Sequence, residues 1–181
     1  MKNHSAQYSY RLLRPTRAIA SYAGFLCDVD VRRAVREGIR KARSARPFQI
    51  DAWVLLPDHL HCIWTLPEGD RDFAGRWATI KRHVTQRCRW LHREEWMTSS
   101  KRRRKESTIW QRRYWEHLIT DEADYRRHVD YLHFNPVKHD LVASVAEWPY
   151  STFHRFVRQG IYSSDWGGVN TAEDQGVPFG E

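Results

Sequence analysis

Two histidines stand one residue apart in `LLPDHLHCIWTL`, Leu55–Leu66, inside an otherwise apolar run. In a β-strand, residues i and i+2 point to the same face, roughly 6–7 Å apart along the chain. His59 and His61 therefore share one face. Leu60, Cys62 and Trp64 take the other, which reads as the core side. Two imidazoles on a rigid strand make half of a divalent-cation site and leave positions open for a further ligand, water and substrate. On its own His-x-His is a weak signal, because paired surface histidines are commoner than metal sites.

A second stretch, `HVDYLHFNPVK`, His128–Lys138, supplies what the strand lacks. Read as a helix, it puts Tyr125, Val129 and Leu132 on a core stripe. Tyr131 and Asn135 are four apart, so they neighbour each other at the border of that stripe. Asn135 offers a hard carbonyl oxygen that could complete a two-histidine cation site. Tyr131 offers a phenol, which is a weak nucleophile at neutral pH unless its target is activated. A cation on a phosphate oxygen gives that activation, and the product is a tyrosyl phosphodiester that a 3′-hydroxyl can later reseal. Tyr114, Tyr125 and Tyr150 compete for the role. Four residues on from them stand Leu118, Val129 and His154, so only Tyr150 has a potential ligand at that spacing. `WPYSTF` around Tyr150 reads as packing at a turn.

The elements that must hold these groups follow from pattern and punctuation. The first 27 residues are hard to read, and `AIASYAGFLC` fits either a strand or a helical turn. `DVDVRRAVREGIRKARSARP` is helical, with Asp28 or Asp30 as cap, Val31, Val35, Ile39 and Ala42 at helical spacing, and Pro47 as stop. Phe48–Leu56 and His59–Leu66 are strands separated by Pro57-Asp58. A long helix runs from Phe73 to Leu91, with Phe73, Trp77, Ile80, Val84, Cys88 and Leu91 on its apolar side. Residues 98–108, `TSSKRRRKEST`, read as an exposed mobile loop. `IWQRRYWEHLI` is a short aromatic strand. Asp121 caps the next helix, which should end at Asn135 because Pro136 follows. `EWPYSTFHRFV` suggests a short helix capped by Ser151 or Thr152. The order predicts an α+β fold close to the ferredoxin-like arrangement, an antiparallel sheet with helices packed mainly on one face. One domain is expected over 1–166, with a loose tail at 167–181.

The 181 residues carry 41% hydrophobic residues and a formal charge of +8. That allows one domain with a real core. Nine Trp, eight Tyr and seven Phe argue against disorder. A basic, aromatic-rich small domain suits nucleic acid. The three cysteines lie far apart without a CxxC pair, which supports neither a zinc ribbon nor a disulfide framework. A reduced, cytoplasmic setting is expected. No apolar run approaches a membrane span, and the N-terminus lacks the apolar segment of a signal peptide.

With these residues in view the chain resembles the REP-associated tyrosine transposases, a branch of the single-tyrosine HUH endonucleases. The likeness runs from about Arg32 to Trp166 through `AWVLLPDHLHCIWTLPEGD`, `WQRRYWEH`, `DYRRHVDYLHFNPVKHDLV`, `EWPYSTFHR` and `DW`, which are specific only together. The resemblance implies a ferredoxin-like catalytic core, His59, His61 and Asn135 as metal ligands, Tyr131 as nucleophile, and Mg²⁺ or Mn²⁺. It also implies a single-stranded DNA substrate, repetitive extragenic palindromes folded as imperfect hairpins. The family usually opens with a Gly-Gly turn and a central strand. `RLLRPTRAIASYAGFLCDV` has no such turn, so the likeness turns on whether a central strand survives.

For DNA, Arg76, Lys81 and Arg82 on the long helix suit phosphates. Arg112 and Arg113 beside Tyr114 and Trp115 mix charge with rings for stacking. Lys101, Arg102 and Arg103 in the basic loop, and Lys138, complete the expected DNA-binding set. Glu116 and His117 share the aromatic strand, and His117 is as readily structural as catalytic. Two rival readings remain: a non-catalytic regulator that binds hairpin DNA or RNA, and a metallohydrolase that uses water as nucleophile. A monomer is expected, with Tyr131 acting in its own subunit, and a dimer stays open.

Overall fold

The computed structural model describes residues 8–13, 25–111 and 115–167, with residues 8–13 and Trp115 as backbone. Its elements are β1 (Tyr8–Leu13), α1 (Val29–Ala45), β2 (Gln49–Leu55), β3 (Leu60–Thr65), α2 (Phe73–Arg87), α3 (Ser99–Arg103), β4 (Trp115–Ile119), α4 (Glu122–Lys138) and α5 (Phe153–Arg158). The four strands form one sheet in the order β2-β3-β1-β4, and every neighbouring pair is antiparallel. This βαββαβ order is the ferredoxin-like one.

The central strand therefore survives. Leu12 of β1 lies opposite His61 on one side and Trp115 on the other. Little in `YSYRLL` announces a strand from a single sequence; pairing on both sides defines it. Ala18–Gly24, within the ambiguous `AIASYAGFLC`, lies outside the described residues, and Phe25–Cys27 is a turn of 3₁₀ helix.

Helix α1 starts where Asp28 accepts from the N–H groups of Asp30 and Val31, at 2.9 and 3.2 Å. Such a cap satisfies amides that the first turn leaves without partners. Val31, Val35 and Ala42 are buried, as expected of one helical stripe. Gly38 also faces inward. A Cβ there would lie 3.3 Å from the Ile80 Cα, so its hydrogen lets α1 and α2 approach closely.

Side chains along β2 and β3 alternate between two cores. Leu55, Leu60, Cys62 and Trp64 join α1 and α2 on one face. Ala52, Val54 and Ile63 join Val129 and Leu132 of α4 and Phe156 of α5 on the other. The two crossover helices thus share a face, and the helices after β4 cover the opposite one. The sheet edge at β2 is covered too. Leu55 N–H donates to Tyr150 O at 2.9 Å and Thr152 N–H to Trp53 O at 2.8 Å. This pairing removes an exposed strand edge.

Four expected boundaries differ. The aromatic strand expected over `IWQRRYWEHLI` begins only at Trp115 among the described residues. The long helix stops at Arg87 and resumes as a 3₁₀ turn over Arg89–Leu91. Residues 98–108 are not all loop: Thr98 accepts from Lys101 N–H at 3.2 Å and starts α3. Helix α4 does not end at Asn135 but carries Pro136 inside and continues to Lys138. Proline removes one N–H, yet the turn closes around it. His139 N–H donates to Asn135 O at 3.0 Å and Leu141 N–H to Pro136 O at 2.9 Å.

Candidate active site

The β2–β3 connection is a tight loop in which Leu56 N–H donates to His59 O at 2.8 Å. It brings His59 to the start of β3 and His61 into it. Both are buried, at 2% and 1% exposure. Their rings meet edge to face with centroids 4.8 Å apart. The His61 ring in turn meets the Tyr131 ring edge to face at 5.7 Å. Strand and helix thus bring both histidines and the phenol together. Asn135, four residues on from Tyr131, is fully buried.

The hydrogen bonds fix what each group can offer. His59 Nδ1 lies 2.6 Å from Asp58 Oδ1. That bond from His59 is the main cause holding the Asp58 carboxyl below its ordinary value. An ionised carboxylate only accepts, so His59 Nδ1 donates to it, and in the neutral ring Nε2 then presents its lone pair. His59 Nε2 is buried and has no hydrogen-bond partner. On α4, Asn135 Nδ2 donates to Tyr131 O at 3.0 Å, which turns Oδ1 away from the backbone. That oxygen too is buried without a partner. Burying an unsatisfied acceptor costs on the order of 1–3 kcal/mol. Two such acceptors, on the segments that also carry His61 and Tyr131, are donor types that a divalent cation takes. The residues present therefore fit the metal ion that the resemblance implies.

Tyr131 is 9% exposed. Lys138 Nζ donates to its phenolic oxygen at 3.1 Å and stands 4.9 Å from the ring centroid. An ammonium there positions the oxygen. His139 is a residue that the sequence reading missed. It caps α4, and its ring meets that of His59 edge to face at 5.2 Å. The signal was its place four residues after Asn135, hidden by the expectation that the helix stops at Pro136. Asp58 was missed as well. Its signal was adjacency to His59, where a carboxylate can orient a ligating imidazole.

Towards the start of α4 a second histidine cluster stands on the same element. His117 Nε2 lies 2.8 Å from Asp124 Oδ2, and His128 Nδ1 lies 3.1 Å from Asp124 Oδ1. Burial alone would raise the Asp124 carboxyl. The hydrogen bond from His117 and the Thr120 amide outweigh it and hold the value low. Ligand atoms of these three residues lie within 4.8 Å of one another, so the group could bind a metal. As they stand, His117 bonds the carboxylate, His128 Nδ1 bonds the Asp124 carbonyl oxygen at 2.9 Å, and the rings stack at 4.6 Å with a 12° interplanar angle.

The expected DNA contacts separate into classes. Arg76 is not on an exposed basic face, contrary to expectation; it is 1% exposed. It bonds both oxygens of Asp70, at 3.1 and 2.6 Å, and the carbonyls of Arg46, Asp72 and Pro47 at 2.9–3.2 Å. Its five bonds tie the start of α2 to the entry of β2. Lys81 is largely desolvated, which pushes its ammonium down to about 8, and it donates to Gln111 O at 3.2 Å. Arg82, Arg102, Arg103 and Lys138 are exposed, and Lys101 is half-buried. Arg102 pairs with Glu94. Arg112, Arg113 and Tyr114 lie outside the described residues.

Comparison with known proteins supplies the class. No family model matches the chain. A REP-associated tyrosine transposase of Escherichia coli (strain K12) is 49% identical over 134 residues, 74% of this chain and 72% of that protein. A relative from Haemophilus influenzae (strain ATCC 51907 / DSM 11121 / KW20 / Rd), named for the same family, is 48% identical over 137 residues, 74% of each. The solved structure of a REP-associated tyrosine transposase bound to a REP hairpin matches with a TM-score of 0.72 and 40% identity. It covers 98% of this chain and 94% of that one. Fold and likeness define a transposase. Within that class the chain belongs to the REP-associated tyrosine transposases. Among the described residues no helix is long and apolar enough to cross a membrane.

Proposed function

We propose that this chain is a metal-dependent endonuclease and strand transferase for single-stranded DNA, acting on REP-type hairpins through a covalent 5′-phosphotyrosine. The observation that carries this reading is the pair of buried, unpartnered acceptors, His59 Nε2 and Asn135 Oδ1, on the two elements that also carry His61 and Tyr131. His59, His61 and Asn135 would hold Mg²⁺ or Mn²⁺. When bound, the ion supplies charge to offset that gathering on the phosphate in the transition state.

The chain's own groups do the rest. Tyr131 Oη attacks phosphorus; the bond to the 3′-oxygen breaks, and that oxygen leaves as a hydroxyl carrying a proton. The 5′-phosphate remains on tyrosine. Attack by a 3′-hydroxyl reverses the exchange, returns the phenol and seals a strand. Lys138 steadies the phenolic oxygen through both steps. Asp58 keeps the His59 lone pair facing inward. The exposed Arg82, Arg102 and Arg103 and the half-buried Lys101 would receive backbone phosphates. The hairpin partner is taken from the relative solved with a REP hairpin.

The test is incubation with a single-stranded REP hairpin and Mn²⁺, followed by a denaturing gel. The wild type should give a shifted protein–DNA adduct. Tyr131→Phe should give none while its hairpin affinity stays within about twofold, as expected when only the reacting group is removed. Cleavage by Tyr131→Phe would move the reaction to water. Hairpin binding by the wild type with no adduct in Mg²⁺ or Mn²⁺ would leave a binding protein instead.

A further inference from the structure

Lys138 is an exposed residue on the last turn of α4, and Tyr131, seven positions before it, is buried. Seven positions are two helical turns, so both leave the same side of the helix. The turn that carries Lys138 forms because the helix continues past Pro136, with His139 N–H on Asn135 O at 3.0 Å. The ammonium donates to the phenolic oxygen at 3.1 Å. A buried phenol is thus joined to an exposed lysine, and a DNA strand has to reach the phenol from the exposed side. A phosphate in line for attack puts phosphorus about 3–3.5 Å from the phenolic oxygen. Its non-bridging oxygens flank the line of attack, and the 3′-oxygen leaves at the far end of that line. As the Oη–P bond forms, phosphorus closes on Oη and draws the non-bridging oxygens towards the ammonium. The leaving oxygen stays beyond phosphorus. Lys138 is therefore placed for the charge of the phosphoryl group, not for the proton of the leaving group.

We propose that Lys138 is a catalytic residue whose ammonium binds a non-bridging oxygen of the scissile phosphate, more strongly in the transition state than in the bound hairpin. An ammonium has three donors, so a bond to the phenol does not preclude one to phosphate. Hydrogen bonds between two charged groups are the strong ones. A contact that tightens only in the transition state raises the rate and leaves affinity nearly alone, which separates Lys138 from arginines that merely hold the backbone. In this step the Oη–P bond forms and the P–O3′ bond breaks. One proton leaves the phenol, one reaches the 3′-oxygen, and the ammonium keeps its own. The inference rests on Tyr131 as the nucleophile of the proposed function, and its tests keep the two apart.

Single-turnover adduct formation by the full chain is measured with a single-stranded REP hairpin and Mn²⁺. Lys138→Met should lower the rate by about 10²–10³-fold, the loss known for one transition-state donor. Its hairpin affinity should fall by no more than about threefold, as for one phosphate contact. Lys138→Arg, which keeps the charge, should recover at least about tenfold of the lost rate. A second hairpin carries a methylphosphonate at the scissile position, which removes the phosphate charge. On it the wild type and Lys138→Met should differ by less than about fivefold, because the two changes delete the same interaction. A third hairpin has sulfur in place of the scissile 3′-oxygen, a leaving group that needs no proton, and it should not rescue the variant. Wild-type rates in Lys138→Met overturn the proposal. So does an equal deficit on phosphate and methylphosphonate, which would leave Lys138 as a residue that only positions the tyrosine. Rescue by the bridging sulfur would make it a proton donor instead. A loss confined to hairpin affinity, with the rate at saturating DNA intact, would make it an ordinary backbone contact. Each of these leaves the proposed function standing. A wild type that forms no adduct, or a Tyr131→Phe that does, overturns both.

Discussion

The two halves of α4 each gather histidines against the sheet, and they differ in where the counter-charge sits. Towards the N-terminal end Asp124 lies inside the cluster, 5% exposed; its carboxylate bonds His117 at 2.8 Å and lies 3.1 Å from His128 Nδ1, which bonds the Asp124 carbonyl oxygen at 2.9 Å. The imidazoles are answered by a carboxylate between them. Towards the C-terminal end the carboxylate lies behind the ring: Asp58 holds the far nitrogen of His59 at 2.6 Å. The near nitrogen, and Asn135 Oδ1 with it, is left buried as an acceptor without a donor. Polar groups bury without penalty only when they are paired. The first arrangement fastens the helix to β4. The second carries a cost that a bound cation would remove.

That contrast breaks most visibly at Asn135 and His59. Either changed to alanine should lower metal-dependent adduct formation by about 10³-fold or more, as for other central catalytic groups. In metal-free protein, however, Asn135→Leu should cost less than about 1 kcal/mol or even stabilise, because it removes an unsatisfied buried acceptor. Urea denaturation in the presence of chelator measures this. A loss above about 3 kcal/mol would mean that Asn135 is an ordinary structural residue whose oxygen finds a partner in solution.

Asp124→Ala should behave in the opposite way. It strips the His117 imidazole and the Thr120 amide of their acceptor, at 2.8 and 3.1 Å, and removes the carboxylate beside His128, whose bond to the backbone carbonyl of residue 124 remains. Breaking a buried charged group away from its partners costs about 3–5 kcal/mol. The loss should appear in urea melts with or without Mn²⁺. If added Mn²⁺ or Zn²⁺ raised wild-type stability through this cluster and not in Asp124→Ala, the N-terminal cluster would be a metal site and the contrast would fail.

Much of this was legible in the chain, and the gaps have physical causes. The element order, the caps at Asp28 and Asp121, the burial of Leu60, Cys62 and Trp64, and the spacing of Tyr131 and Asn135 follow from periodicity and side-chain chemistry. The central strand was not legible, since it is made by partners distant in sequence. Pro136 misled because a proline excludes one hydrogen bond, not a helix already held on both sides. That error hid His139. Arg76 misled because charge was read before position. It occupies the apolar stripe between Phe73 and Ile80, and Asp70 and Asp72 just upstream were the signal of a paired interior arginine.

Between the two ends of α4 lies His133, fully buried among Phe153, Phe156 and Tyr162, with Nε2 2.9 Å from Thr152 Oγ1. Burial pushes its imidazole down to about 3 from an ordinary 6.5. The folded form therefore keeps it neutral while the unfolded chain takes up a proton below pH 6.5. Its contribution is complete above that pH and declines as pH falls towards 3, by at most about 1.4 kcal/mol per unit. His133→Phe should flatten the stability curve between pH 6 and 4, read from urea midpoints. An unchanged slope would place the acid sensitivity elsewhere, Asp124 being the next group to examine.

The smallest effect carries the same rule to DNA. Arg76 is closed by Asp70 inside the protein, as His117 and His128 are by Asp124, so it has nothing left for a phosphate. Arg82, six residues along the same helix, is exposed. Arg82→Ala should weaken hairpin binding only a few-fold, equally for any sequence. It should lower the slope of log affinity against log salt by about 0.7–0.9, the release of one counterion. Its urea midpoint should not move. If the slope is unchanged, the hairpin does not cross this face of α2. The phosphate track must then be sought among Lys101, Arg102 and Arg103, where the same slope, measured one substitution at a time, identifies each residue that meets the backbone.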